Sequence, residues 1–169
     1  QPDDVSFDFM LMNTTFHWRS HATNLLSVEF LELCKKHLKS GGVVFYNTTG
    51  SEDVVRTAAA VFKHVTMVGN FVAASDSPFD ISNEERRQNL LRFKDPDGSP
   101  TFLRNEMFKE ELERLTKMPL PDMGAKLRNS DQFTIITDDN MACEYSKRKG
   151  YWFEPNNSWI RMFSKLSKE

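Results

Sequence analysis

The strongest constraint on this chain's fold lies in residues 6–49, where two β-rich runs flank one amphipathic helical stretch. Phe7-Asp8-Phe9-Met10-Leu11-Met12 is a short apolar run that breaks abruptly into Asn13-Thr14-Thr15-Phe16-His17-Trp18-Arg19. Beyond that polar turn, Leu26, Phe30, Leu33, Cys34 and Leu38 recur at three- and four-residue steps, the spacing of one helix face. Lys35, Lys36, His37 and Lys39 gather where cations complement the carbonyl pole of the helix, and Gly41-Gly42 are expected to stop it. Val43-Val44-Phe45-Tyr46-Asn47-Thr48 then reads as a strand buried on both faces. Strand, helix and strand in this order make a right-handed crossover, so the expected class is α/β. Ligands of open α/β sheets sit beyond the carboxyl ends of the strands, which makes the turn after Met12 the expected functional edge.

The second strand ends in a similar turn, Asn47-Thr48-Thr49-Gly50, and Ser51 is placed to cap the next helix. Glu52 and Asp53 fall in its first turn, and Val54, Val55, Ala58, Ala59, Val61 and Phe62 form its apolar face. Residues 65–74 read as a third strand with a bend at Gly69-Asn70. The repeated Asn-Thr-Thr implies similar chemistry at neighbouring strand ends; the flanking helices do not align, so it is no internal repeat. Ser82-Asn83-Glu84-Glu85 fits a capping box opening a polar helix to about Lys94. Asp95-Pro96-Asp97-Gly98 is a turn, and a second helix marked by Phe108, Leu112 and Leu115 ends before Pro119-Leu120-Pro121. We read 1–75 as the α/β core, 76–131 as a helical insertion or lid, and 132–169 as a final strand followed by an aromatic tail, all in one domain. The strand is Gln132-Phe133-Thr134-Ile135-Ile136-Thr137 with Asp138-Asp139-Asn140 as its turn. Trp152, Phe153, Trp159, Ile160 and Phe163 of the tail are expected to pack on a sheet edge or to mark a partner interface.

A chain of 169 residues suits one domain with a sizeable core, and 39% apolar with 27% charged residues is the balance of a soluble globular protein. No run approaches the roughly 20 apolar residues of a membrane helix. The net charge of −2 argues against a general nucleic-acid binder. Cys34 and Cys143 are too few for a disulfide framework or a structural zinc site, and suit a cytoplasmic location. Gln1-Pro2-Asp3-Asp4 brings neither an initiator Met nor a signal peptide, and a strand follows almost at once, which reads as a piece of a longer chain. A sheet cut there leaves its first strand unpaired, so a homodimer or a swapped sheet is expected.

The series Phe7-Asp8-Phe9-Met10-Leu11-Met12, Leu25-Leu26-Ser27-Val28-Glu29-Phe30-Leu31-Glu32-Leu33, Leu38-Lys39-Ser40-Gly41-Gly42-Val43 and Thr137-Asp138-Asp139-Asn140 resembles the C-terminal half of spermidine synthase-like proteins. These polyamine aminopropyltransferases have the Rossmann-like fold of S-adenosylmethionine-dependent methyltransferases. The resemblance is closest to the branch fused behind a membrane-embedded segment, where an Asn-Thr-Thr-Phe-His-Trp-Arg turn and a late Thr-Asp-Asp are typical. It covers residues 6–75 and, more loosely, 132–145. It implies a methyltransferase-type sheet of which only the C-terminal half is here: strand, helix, strand, helix, strand, helical insertion, final strand. It also implies a polyamine or other amine as ligand, and S-adenosylmethionine or its decarboxylated form as cofactor of the intact protein. The chain would then be the soluble part of a membrane-anchored protein.

Two departures stand out. The Gly-rich turn and acidic residue that grip the nucleoside belong to the half preceding Gln1, so no cofactor-binding residue is identifiable here and this chain alone should bind the donor weakly or not at all. Where the family carries an Asp-x-x-Asp turn, whose carboxylate orients the amine and takes its proton, this sequence has Asn13 and Phe16. His17 is then the candidate catalytic base, with a surface-loop role as the rival reading. Asn13, Thr14 and Thr15 are candidate acceptor-side ligands, or satisfy loop amides. Asp138 and Asp139 suit an amine, or serve their own turn. No metal site is expected. Two function classes stay open: a transferase domain moving an aminopropyl or methyl group from a sulfonium donor, and a non-catalytic binding or regulatory domain that keeps the fold.

Overall fold

Alternation within each strand decides how the sheet is layered. A computed structural model describes residues 5–13, 23–48 and 50–140. Its four-stranded mixed sheet comprises β1 (Phe7–Met12), β2 (Leu38–Asn47), β3 (His64–Val68) and β4 (Phe71–Ser75), in the order β1-β2-β4-β3. β1 and β2 run parallel, with Met10 beside Val44 and Met12 beside Tyr46, while β4 is antiparallel to both β2 and β3. Side chains of paired residues share a face. Met10, Met12, Val44, Tyr46, Val65, Val72 and Ala74 therefore line one face, which is the core face, with Val44, Tyr46, Val65, Val72 and Ala74 buried. The opposite face carries Phe9, Phe45 and Phe71 as a ladder, with centroids 6.0 and 4.9 Å apart.

Two helices cover the core face. α1 (Val28–Lys36) opens at Ser27, whose hydroxyl accepts the Phe30 amide at 3.2 Å, and α2 (Glu52–Val61) follows β2. The apolar face foreseen for α2 is buried throughout, from Val54 to Phe62. The phase of α1 differs from the expected stripe. Leu31 and Cys34 are buried, Leu33 is 50% exposed, and Leu38 already belongs to β2. The helix stops at His37, before the two glycines, because Leu38 pairs with Phe7; Gly41-Gly42 fall in an irregularity between the Phe7–Leu38 and Phe9–Val43 pairs.

Two expected strands are corrected. Residues 65–74 form a hairpin, not one bent strand: Gly69 takes a φ of 61°, a left-handed turn suited to glycine, and β4 returns to fill the free edge of β2. The segment 132–137 is no strand. The outer edge of β3 is already taken by a turn, where Asp122 Oδ1 accepts the Val65 amide at 3.1 Å and the Met123 amide donates to Val65 O at 2.7 Å. The segment instead docks on α2. Thr134 N–H donates to Asp53 Oδ1 at 2.8 Å, Ile136 N–H to Thr57 Oγ1 at 2.9 Å, and Ile136 O accepts the Val28 amide at 3.0 Å. Asp53 and Thr57 are both buried, so helix side chains supply what a ladder would otherwise provide.

A short helix absent from the sequence reading, α5 (Gly124–Arg128), packs on α2 and β3. A Cβ at Gly124 would lie 2.4 Å from Lys63 O, so only glycine lets the helix approach. The contacts divide the chain into two compact units, Gln1–Pro78 with Pro121–Glu169, and Phe79–Leu120. The second unit holds α3 (Asn83–Leu90) and α4 (Glu106–Lys117). Ser82 caps α3 through the Glu85 amide as foreseen, but the helix ends at Leu90, short of Lys94. Asn105 caps α4, and Arg86 closes its other end by donating to the carbonyls of Leu115, Thr116 and Met118.

Candidate functional site at the strand carboxyl ends

β1 and β2 are parallel, so their carboxyl ends lie side by side, and the β3–β4 turn reaches the same edge because Phe71 pairs with Asn47. Three asparagines meet there. Asn13 follows β1, Asn47 closes β2, and Asn70 sits in the hairpin turn. Asn70 Nδ2 donates to Asn47 Oδ1 at 2.7 Å, and Asn47 Nδ2 donates to Asn13 Oδ1 at 3.2 Å. Thr48, 2% exposed, anchors the row: its hydroxyl is 3.0 Å from Asn70 O and 3.1 Å from Asn70 Oδ1, and it accepts the Gly50 amide at 3.2 Å.

Of the residues named from sequence, Asn13 thus joins the row through its carbonyl oxygen and stays exposed. Thr14, Thr15 and His17 lie outside the described residues, as do Cys143 and the aromatic tail. Asp138 and Asp139 are exposed and belong to a separate turn. Asp138 contributes its backbone N–H, which donates to Glu29 Oε2 at 3.1 Å; Thr137 and Asn140 close the turn reciprocally at 3.0 and 3.2 Å, and Asn140 Nδ2 donates to Ile135 O at 2.8 Å. Asn47, Thr48 and Asn70 were not named as ligands from sequence. The repeated Asn-Thr-Thr triplet pointed to the first two; Asn70 carries no sequence signal beyond its turn, because only the pairing of β4 with β2 brings it there.

Side-chain amides both donate and accept, and do not titrate. The row can orient a polar group across three strand ends, but it supplies neither acid nor base. Titratable groups with shifted pKa values lie elsewhere. Burial pushes the Cys34 thiol up; burial, then the nearby Cys34, pushes the Tyr46 phenol far up, and both are inert packing groups of the core. Among the described residues no three His, Cys, Asp or Glu side chains are grouped to hold a metal ion. No Gly-x-Gly turn follows a strand among them either, so they do not fit the nucleoside of a sulfonium donor. No described helix is long and apolar enough to cross a membrane. No protein-family model matches the chain, and no curated protein matches it.

Proposed function

We propose that this chain is the acceptor-side half of a spermidine synthase-like transferase domain, which in the intact protein binds a sulfonium nucleoside donor and an amine acceptor for aminopropyl or methyl transfer. The observation that carries the reading is the convergence of Asn13, Asn47 and Asn70 on the carboxyl edge of two parallel strands joined by a crossover helix. The order of the sheet supports it as well. A reversed strand, β4, lies between β2 and the like-directed β3, giving a mixed α/β sheet compatible with a Rossmann-like fold.

A sulfonium donor supplies an electrophilic carbon, so the protein's part is mainly alignment of the acceptor's lone pair. The amide row suits that part. Its oxygens can accept N–H groups of an amine and hold the nitrogen in one orientation, while an amide at Asn13 in place of a carboxylate leaves deprotonation to another group, with His17 the candidate.

Calorimetry on the intact protein with S-adenosylmethionine, its decarboxylated form and polyamines tests the reading. Heat with one donor and one amine, the amine heat weakened about tenfold by Asn70→Ala, is expected for loss of one or two oriented hydrogen bonds. No heat with any of these compounds overturns it. The second reading, a non-catalytic binding domain, is favoured by the uncharged Asn13 and is distinguished by amine binding without turnover. If His17 is the base, His17→Ala depresses turnover far more than donor binding.

A further inference from the structure

We infer that the acceptor substrate carries, besides its amine, an oxygen acceptor in the form of a carboxylate or carboxamide, which receives a hydrogen bond from Asn13 Nδ2. This rests on the transferase reading above and names the kind of amine that the strand-end row selects. The bonds of the row all point one way. The Thr48 hydroxyl accepts the Gly50 amide at 3.2 Å and donates toward Asn70 O and Oδ1 at 3.0 and 3.1 Å. Asn70 Nδ2 donates to Asn47 Oδ1 at 2.7 Å, and Asn47 Nδ2 donates to Asn13 Oδ1 at 3.2 Å. Exposure rises in the same direction: Thr48 is buried, Asn70 and Asn47 are partly buried, and Asn13 is exposed. Each amide accepts on its oxygen and passes a donor outward from its nitrogen, so the open end of the row is a donor. Among the described residues that last nitrogen, Asn13 Nδ2, donates to no group.

The outward direction of this nitrogen is set from within. Turning the Asn13 amide over would put its NH2 against the NH2 of Asn47, and Asn47 is itself oriented by Asn70. Hydrogen bonds aligned in a chain polarise one another, which strengthens the final donor. A second ammonium on the substrate is a poor match for that end. An alkyl amine with a pKa of about 10 is protonated at neutral pH and has only donors to offer, so a diamine would set donor against donor at its far end. A carboxylate or carboxamide oxygen accepts instead, and the carboxylate adds the strength of a charge-assisted bond. The row therefore discriminates by the far end of the substrate and leaves the amine end to react.

Calorimetry on the intact protein tests this with three probes of the same four-carbon length, putrescine, γ-aminobutyrate and γ-aminobutyramide, each titrated in the presence of S-adenosylmethionine or its decarboxylated form. The expected result is that γ-aminobutyrate or γ-aminobutyramide binds about tenfold or more tightly than putrescine, the size of one oriented hydrogen bond gained against one donor clash; which of the two is tighter tells carboxylate from carboxamide. Asn13→Asp keeps an oxygen for Asn47 Nδ2 and replaces only the outward donor by a charged acceptor, so it should reverse the order in favour of putrescine, with circular dichroism as the control for folding. Donor heat together with putrescine binding as tight as or tighter than the other two, donor heat with no heat from any of the three, or a folded Asn13→Asp protein that keeps the original order overturns this inference and leaves the transferase reading standing. An Asn13→Asp protein that unfolds leaves the order among the three probes on the unaltered protein to decide. No heat from either donor or from any amine overturns both.

Discussion

Asn70 performs two tasks from one turn position. Its amide nitrogen fixes Asn47, and its backbone and side-chain oxygens face the hydroxyl of buried Thr48. Asn70→Ala removes the donor to Asn47 and one acceptor for Thr48, and should cost about 1–2 kcal/mol, read from the urea midpoint. Asn70→Asp keeps the shape but turns a carboxylate oxygen toward Asn47 Oδ1, so it should be the more damaging variant at neutral pH. Tyr46 is the opposite case. It is fully buried and its hydroxyl has no hydrogen-bond partner among the described residues, so its phenol is burdened with desolvation that none of their bonds offsets. Tyr46→Phe should leave stability unchanged or raise it by up to about 1 kcal/mol, checked by the same urea titration. A clear loss would mean that the hydroxyl has a partner after all.

At the scale of elements, α2 is the organising piece, because side chains outside the sheet close its carboxyl end and its own Asp53 and Thr57 anchor the segment 132–137. Lys35 Nζ reaches Val61 O at 2.7 Å, and one Arg128 nitrogen lies 3.2, 2.7 and 3.0 Å from the carbonyls of Ala59, Phe62 and Lys63. These cations satisfy carbonyls that have no intrahelical partner and oppose the negative pole of the helix. Arg128→Ala should therefore fray α2 and cost about 1–2 kcal/mol, while Arg128→Lys, a single-point donor, should recover only part. Amide exchange at Phe62, whose N–H donates to Ala58 O at 2.9 Å, would report the fraying directly. In the middle of the helix Thr57 donates to Asp53 O at 2.7 Å and accepts from Ile136, and Thr57→Val should cost about 1–3 kcal/mol by leaving the buried Ile136 amide unpaired. The same elements explain what the sequence could disclose. The β1-α1-β2 crossover and the apolar face of α2 were legible because period and composition are local properties of the chain. The hairpin and the docked segment 132–137 were not, since Val65–Ala74 spacing suits one strand or two, and Ile135-Ile136 suits a strand as well as an apolar anchor. Which applies depends on free sheet edges, a property of the assembled fold. The site was legible to the same extent: Asn13 follows a strand in any α/β reading, whereas Asn70 reaches it only through the pairing of β4 with β2.

At the scale of the molecule, two aspartates clamp the unit built on the sheet, one between β3 and α5 and one between α1 and the start of β3, and this makes its stability depend on pH. Asp122 accepts the amides of Val65 and Gly124 at 3.1 and 2.9 Å and pairs with His64 at 2.8 Å. Asp76 accepts the Lys63 amide at 3.1 Å and pairs with Lys35 at 3.0 Å. Partial burial is the largest single influence on each carboxyl and raises its pKa, but the hydrogen bonds and neighbouring cations together outweigh it and hold both below the ordinary carboxylate range. A carboxyl depressed in the folded state binds its proton more readily when unfolded. Its contribution is therefore complete above the ordinary aspartate pKa of about 4 and is lost as the pH falls through the lower folded value. The urea midpoint should accordingly be flat from neutral pH to about pH 5 as far as these groups are concerned, then fall on further acidification. Asp122→Asn keeps an oxygen for the two amides but cannot be charged, so it should lower the midpoint at neutral pH and flatten the acid limb. Asp122→Asn and wild-type profiles that run parallel through the acid limb would show that the clamp between β3 and α5 is not what acid releases.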